Sequence, residues 1–483
     1  MKSVLKICLV LVTAMIAAQG CYKDKGNYTY TDATVVTIKA SVPDTINVML
    51  QDSLKIATTI TSSKGGTPSY SYEWVMYVGT GTALTRNNLG SQHDLVTRIT
   101  DAPGRYVLNY FVTDNQTGII YKKAFVVNIS SALNEGWLVV EEKNGVCDMN
   151  MISSSGTVFR NIYSGANNGA KLPVGTQRVA VVQDRLNAQK IYVMSPSSAV
   201  QLYFANFVKL NNFADWFYQA PAVVKPQEYF INGGSDERLV NNGEVYAINT
   251  NSAGTMKFGL PPMGTYDIAP FEVYSVIHGY AWFDKLTQRF YKQDAGYFNF
   301  GPFAAPGATS AYNLNAINKK ILYAAATSGS SVYNSLFVNN NNDSVFNYRM
   351  EMTKADPATV VDTLGIIPSL LTAKQFVMSR KLNFVYYTSG NQVYLLDIPA
   401  RKARVIYTFA AGAEVRAMKL YYNSKTSSDP DNYNVIAIAT NEGGEGKVYQ
   451  FALGATGEFA SNTYRSVYSG FGLINEITYK RAP

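Results

Sequence analysis

From Thr34 to Ser130 apolar and polar positions alternate in short runs, the period-two pattern of half-buried strands. Val35 to Ala40, Ser53 to Ile60, Tyr70 to Tyr77, Asp94 to Ile99, Gly104 to Thr113 and Ile119 to Ile129 each read as one strand. Gly65-Gly66-Thr67-Pro68, Ala102-Pro103-Gly104 and Asp114-Asn115-Gln116-Thr117-Gly118 punctuate them with turn-forming residues. Short strands at this spacing, over about a hundred residues, predict an immunoglobulin-like β-sandwich.

Beyond Ala132 the rhythm changes to paired strands around tight turns, recurring at roughly 30 to 65 residues. Trp137 to Glu142 turns at Asn144-Gly145 into Val146 to Ile152, and Arg178 to Gln183 turns at Asn187-Ala188 into Lys190 to Met194. Glu244 to Asn249 follows, then Gly279 to Phe283 with Arg289 to Lys292, then Ala316 to Ala326 with Ser331 to Val338. Gln375 to Met378, Leu382 to Thr388 and Gln392 to Ile398 form the next unit. Arg416 to Tyr422, Asn434 to Thr440 and Lys447 to Leu453 form the last. That makes seven, with Phe471 to Tyr479 left over as a strand able to close a ring on the first unit. A twisted sheet cannot bury both faces alone, so stacking in a closed ring is economical and predicts a seven-bladed β-propeller. A large β-sandwich or an open β-solenoid is the competing architecture. No WD, Kelch or Asp-box signature marks the blades, and Asn339 to Asp343 and Ser427 to Asn434 read as loops.

The first twenty residues are of another kind. Lys2 and Lys6 precede an apolar run from Ile7 to Ala18, too short for a membrane-spanning helix, and small residues follow. Ala18-Gln19-Gly20-Cys21 resembles a lipobox, so residues 1–20 are expected to be a lipoprotein signal peptide and Cys21 the lipidated residue. Ala18 stands where leucine is usual. Residues 21–33 then read as a polar tether, 34–131 as the sandwich and 132–483 as the propeller. The signal accounts for two of the +8 formal charges, leaving +6 in the mature chain. The basic residues are scattered, so nucleic acid is not an expected partner. With Cys21 lipidated, Cys147 has no partner for an intramolecular disulfide. Tyrosine (35), glycine (36) and phenylalanine (23) are abundant while charged residues make up 16%, a balance suited to strands and turns.

Chemistry-bearing patterns are sparse. The two histidines, His93 and His278, lie far apart, so a histidine-based zinc site or a Ser/His/Asp arrangement would have to use one alone. His278 is expected on a strand and His93 in a surface loop. There is no Gly-x-Ser-x-Gly elbow, and Gly443-Gly444-Glu445-Gly446-Lys447 reads as a hairpin turn, because Val448 replaces the magnesium-binding hydroxyl of a phosphate loop. Asp429-Pro430-Asp431-Asn432 lacks the glycine and distal glutamate of an EF-hand. No catalytic residue, metal or cofactor is expected. Carboxylates (Glu141-Glu142, Asp236-Glu237, Asp267, Glu272, Asp284 and Glu414) remain the one route to catalysis, as a pair across a propeller face.

Aromatic residues outside strands are the better binding candidates, since flat rings offer contact area at low entropic cost. Trp216, Phe217 and Tyr218, in an Asn- and Pro-flanked segment, and Tyr266, after Pro261-Pro262-Met263-Gly264, are the expected ligand-binding residues.

Tyr70-Ser71-Tyr72-Glu73-Trp74, Pro103-Gly104-Arg105-Tyr106-Val107-Leu108 and Val112-Thr113-Asp114 resemble the landmarks of a PKD (polycystic kidney disease) domain, in which the tryptophan packs between the sheets. The acidic-glycine loop that usually follows the tryptophan is replaced by Val75-Met76-Tyr77-Val78-Gly79. Cys21 with Gly26-Asn27-Tyr28-Thr29-Tyr30 resembles a family of PKD-like lipoproteins of Gram-negative scavenging bacteria. That resemblance implies an outer-membrane lipoprotein facing the cell exterior, beside a TonB-dependent importer and its lid lipoprotein. The leading expectation is a non-catalytic binder of peptide or oligosaccharide. A surface glycoside hydrolase or peptidase using propeller carboxylates, and a structural adaptor without a small ligand, are the alternatives.

Overall fold

The computed structural model describes residues 34–50, 52–63, 69–78, 85–183, 189–232, 236–248, 257–294, 299–329, 331–423 and 428–482. The chain forms two compact units. Among the described residues one comprises 34–48, 52–98 and 105–128, and the other 49–50, 99–104 and 129–482. The expected signal peptide, Cys21 and the tether lie outside the described residues. Among those residues no helix is long and apolar enough to cross a membrane.

The first unit is built from β1 (Val36–Ala40), β2 (Thr45–Met49), β3 (Ser53–Ile56), β4 (Thr58–Ser62), β5 (Tyr70–Val78), β6 (Thr85–Gly90), β7 (Leu95–Arg98), β8 (Gly104–Asp114) and β9 (Ile120–Ser130). Five strands pair in the order β2-β9-β8-β5-β6, with β1-β4 and β3-β7 as smaller pairs. Trp74 is fully buried, stacks on Tyr110 at 4.1 Å and donates its indole N–H to the Gln92 carbonyl at 3.0 Å. This is the core tryptophan expected of the sandwich. The run Ser53 to Ile60, read as one strand, is two. The chain changes partner at Ala57, where side chains take over the backbone bonds: Ser41 Oγ accepts from the Ala57 N–H and Asp94 Oδ1 from the Thr58 N–H.

The second unit holds seven antiparallel sheets among the described residues. Its strands are β10 (Gly136–Lys143), β11 (Val146–Ser153), β12 (Val158–Phe159), β13 (Arg178–Gln183), β14 (Gln189–Ser195), β15 (Ser198–Tyr203), β16 (Lys209–Asn212), β17 (Pro226–Asn232), β18 (Asp236–Asn241), β19 (Glu244–Ala247), β20 (Val273–Ser275), β21 (Gly279–Asp284) and β22 (Arg289–Gln293). Then come β23 (Lys320–Ala326), β24 (Val332–Val338), β25 (Val345–Glu351), β26 (Ala358–Gly365), β27 (Gln375–Met378), β28 (Phe384–Ser389), β29 (Gln392–Asp397), β30 (Lys402–Thr408), β31 (Glu414–Leu420), β32 (Val435–Glu442), β33 (Glu445–Ala452), β34 (Ser466–Phe471) and β35 (Leu473–Lys480). The blades are β13 to β16, β17 to β19, β20 to β22, β23 to β26, β27 to β30 and β31 to β34. The remaining blade joins the two ends of the unit in the order β35-β10-β11-β12.

The last strand therefore closes the ring, pairing β35 with β10 from Gly136↔Lys480 to Glu142↔Leu473. Gly472 alone links β34 to β35. A Cβ there would fall 2.3 Å from the Glu142 carbonyl oxygen, so the approach requires glycine. The first strands of neighbouring blades (β35, β13 and β17; β20, β23, β27, β31 and again β35) lie against one another and surround the axis.

Period-two alternation explains why the ring holds. On β10, Leu138 and Val140 pack with Val179 and Ile191 of the next blade. Trp137 and Val139 point the other way, onto Ala417, Ala437 and Val448 of the last. Each of the other five seams has its own apolar cluster drawn from two adjacent blades. Gly443-Gly444, at φ of 59° and 89°, makes the two-residue hairpin between β32 and β33, as expected from the sequence. His278 is not on a strand: it sits in the turn from β20 to β21, with Nε2 2.5 Å from the Lys354 carbonyl oxygen.

Candidate functional site

Antiparallel blades give the propeller two faces. Loops that carry the chain from one blade to the next share a face with the turns between second and third strands. We call this the crossover face. Turns between first and second strands, and between third and fourth, lie on the opposite face. All four aromatic residues singled out from sequence belong to crossovers: Trp216, Phe217 and Tyr218 between β16 and β17, and Tyr266 between β19 and β20.

Their fates differ. Phe213 to Trp216 form one 3₁₀ turn, and the backbone that follows pairs with Phe258: the Phe258 N–H donates to the Trp216 carbonyl at 2.8 Å and the Tyr218 N–H to the Phe258 carbonyl at 3.1 Å. That pairing tucks Trp216 (6% exposed) and Phe217 into the seam between two blades. The Trp216 ring meets Tyr192 edge-on at 4.9 Å, and Phe217 meets Tyr246 at 5.2 Å. Neither presents a ring face to a ligand, which corrects the expectation for both. The reason is physical: a seam between twisted sheets must be filled, and a crossover supplies the large side chains that strands alone do not. Tyr218 turns outward, 62% exposed. Tyr266 is half-buried; its hydroxyl donates to the Pro262 carbonyl at 2.7 Å and its ring meets Phe300, so it braces the loop rather than offering a platform.

That bracing leaves Met263 almost wholly exposed, at 95%. Val223, Leu260, Ile366 and Leu371, also exposed, sit on crossovers of the same face. The two loops flagged by sequence thus share a face with further apolar groups that the sequence did not distinguish from core residues.

Charged groups gather on the strands around the axis. Arg178 of β13 reaches Glu228 of β17 at 3.2 Å and Glu476 of β35 at 3.4 Å, and Lys419 of β31 reaches Glu476 at 3.1 Å. Glu228, and then Glu476, raise the Arg178 pKa against the opposing effect of burial. These ion pairs tie the inner strands β13, β17, β31 and β35 together electrostatically. Nothing in the sequence pattern marked Glu228 or Glu476.

The carboxylates considered for catalysis are also engaged. Glu141 accepts the Gly472 N–H, Glu142 accepts from Gly175 and Asn475, and Glu237 accepts from Lys190 and Tyr229. Asp267 pairs with Lys285, and Glu414 with Lys374 and Arg416. Asp284 accepts from the N–H groups of Asp267, Leu286 and Thr287, and Glu272 also has a partner. The side chain of Asp236 lies outside the described residues. Asp429 accepts the Tyr421 hydroxyl at 2.7 Å and Asp431 pairs with Arg465 at 2.5 Å. Among the described residues no group of three or more His, Cys, Asp and Glu is placed to hold a metal.

Two isolated groups are perturbed. Burial pushes the Cys147 thiol up to about 12, leaving it protonated and inert. Lys480, near the end of the closing strand, is fully buried and donates to the Asn134 carbonyl at 2.6 Å; burial lowers it to about 7, with Glu135 acting in the opposite sense.

A quinoprotein alcohol dehydrogenase-like protein from Bacteroides thetaiotaomicron is 11% identical, with 90% of this chain and 96% of that one covered and a TM-score of 0.45. The extracellular domain of a one-component system from the same organism is 11% identical, covering 90% and 70%, with a TM-score of 0.40. The WD40 domain of SCAP from fission yeast is 8% identical, covering 61% and 74%, with a TM-score of 0.33. No curated protein matches. Residues 21–174 match the PKD-like family, so the chain carries a PKD-like family domain ahead of its propeller-like region.

Proposed function

We propose that the chain is a non-catalytic lipoprotein of the bacterial surface, anchored at Cys21, that acts as a binding platform beside a TonB-dependent outer-membrane importer. The observation that carries this reading is the exposure of Tyr218, Val223, Leu260, Met263, Ile366 and Leu371 on crossovers of one propeller face. Contiguous exposed apolar surface marks interaction sites, and these six side chains share the crossover face, with Val276 and Ile277 exposed in a turn of the opposite one. Branched aliphatic and thioether side chains suit the apolar surface of a protein or peptide. Sugar platforms need flat rings, and only Tyr218 of these six supplies one. The crossover face is thus the docking surface for a protein partner, for which the family resemblance suggests the importer or its lid lipoprotein. A tethered protein held there keeps captured ligand at high effective concentration near the pore.

The test is co-purification from outer membranes of wild type and of the double variant Met263→Asp, Ile366→Asp. Loss of the co-purifying importer at unchanged melting temperature supports the reading. Undiminished co-purification, or release of a processed product from a panel of oligosaccharides and peptides, overturns it.

A further inference from the structure

The opposite face carries a feature that the sequence did not flag. Residues 428–434 lead into β32 and hold Tyr433 at φ +61°, a left-handed conformation that bulky side chains rarely adopt. Several bonds impose it. The Tyr433 N–H donates to the Tyr421 carbonyl at 2.9 Å. The Asn432 side chain accepts from the Asn423 N–H at 2.6 Å and donates to the Asn423 carbonyl at 3.1 Å. Asn434 Nδ2 donates to the Pro430 carbonyl at 2.6 Å, and Asp429 Oδ1 accepts the Asp431 N–H at 2.9 Å. Strain maintained by this much surrounding structure points to a task for the side chain it aims.

Tyr433 stacks on exposed Tyr422, centroids 4.7 Å apart and planes within 8°, and lines a cleft of about 370 Å³ between the last two blades. The Arg380 guanidinium stands 5.6 Å from the Tyr433 ring centre, and Lys381 lines the same cleft. Among the described residues neither cation has a carboxylate partner, unlike Arg465, which pairs with Asp431. Ser379, Asn434 and Asp431 complete the polar wall. Asp431 and Arg465 also line a second cleft of about 260 Å³, with Ser154, Gln450 and Tyr468.

We propose that this pair of clefts binds an anionic oligosaccharide, with a sugar unit lodged in the cleft beside the Tyr422–Tyr433 pair and its acidic group held by Arg380 and Lys381. Hydroxyl, amide and charged groups around flat rings match a polyol, whose hydroxyls donate and accept in turn. The two unneutralised cations select a carboxylate or sulfate on the sugar. The second cleft, reached past the Asp431–Arg465 pair, gives room for further sugar units. Burial keeps the Tyr433 hydroxyl, raised to about 12, a neutral donor at ordinary pH. This assignment rests on the binder reading above and names its ligand; it does not depend on the crossover face.

Isothermal titration of the full chain uses four probes: an oligogalacturonate, a sulfated chondroitin oligosaccharide, a neutral cello-oligosaccharide of equal length, and oligoglutamate. Binding of one or both acidic sugars, with the neutral sugar and the peptide at least tenfold weaker, supports the proposal and tells uronate from sulfate. Tyr433→Gly keeps the backbone conformation without strain and removes the ring, so binding should fall at least tenfold with the melting temperature held. Arg380→Ala with Lys381→Ala should erase the preference for acidic over neutral sugar. Binding of no probe, tighter binding of oligoglutamate, or acidic-sugar binding untouched by Tyr433→Gly overturns the site. Importer co-purification, read separately on Met263→Asp, Ile366→Asp, shows whether the platform reading falls with it.

Discussion

Two aromatic segments of the propeller invert the expectation raised by their sequence. Asp215 to Tyr218, flanked by polar and turn-forming residues, looked like a displayed platform, yet Trp216 and Phe217 fill a seam between blades. Tyr422 and Tyr433 border a Ser- and Asp-rich loop and passed as ordinary; one is exposed, the other is strained into a cleft wall. Local polarity does not decide exposure in a ring of stacked sheets. What buries Trp216 and Phe217 is a crossover that runs along a seam whose volume must be filled, while Tyr218 at its end stays exposed. Tyr422 and Tyr433 lie on a loop that turns back within one blade.

The largest effect expected concerns the frame on which both segments depend. Removing Leu473 to Pro483 strips the inner strand from the first blade, bares the edge of β10 and empties one seam of Ile474 and Ile477. Circular dichroism and calorimetry should show loss of cooperative unfolding in the propeller. A sharp transition near the wild-type temperature would break the closed-ring account.

Trp216→Ala comes next. Deleting a buried indole from a packed seam costs about 3–5 kcal/mol, so the melting temperature should fall by several degrees with the sandwich unaffected. Trp216→Phe should be much milder, because the Trp216 indole N–H has no hydrogen-bond partner among the described residues and loses nothing on removal. A silent Trp216→Ala would return this residue to the list of surface candidates.

Lys480 gives a smaller, pH-dependent effect. Its folded pKa, lowered to about 7, lies below the ordinary 10.5, so between those values the unfolded chain binds more protons than the folded one. Stability from this group therefore rises with pH from about 7 to about 10, and below 7 the folded chain carries the full cost of a buried charge. Lys480→Met should remove that slope and raise stability at pH 6 by up to a few kcal/mol. A wild-type slope retained by the variant would show that another group is responsible. The smallest effect belongs to Tyr218→Ser, exposed on the crossover face, whose unfolding free energy should stay within about 0.5 kcal/mol of wild type.

Much of the architecture was legible because alternation survives wherever both faces of a strand meet neighbouring blades. β10, β11, β28, β29, β32 and β33 were found on this basis, and β35 was recognised as a closing strand. Outer strands were missed for the opposite reason. Every residue of β16 is exposed, and β30 and β34 are exposed at several positions, so solvent on one side erases the period. β17 was hidden by its opening Pro226, tolerated at a strand start that pairs on one side only. In the sandwich, the edge strands β2 and β6 carry too few buried residues to announce themselves. The candidate site was less legible still. The two flagged loops stood out in the sequence only by their polar flanks, and Tyr433 is distinguished by a backbone angle that composition does not encode.

Hydrogen–deuterium exchange of the full chain, with and without a saturating acidic oligosaccharide, tests the contrast between the two segments most directly. The expected result is slowed exchange in peptides covering Ser379 to Leu382 and Tyr421 to Val435, with Asn212 to Tyr218 unchanged. Protection confined to Asn212 to Tyr218 would contradict the account, because it would put the ligand on the segment assigned here to the seam.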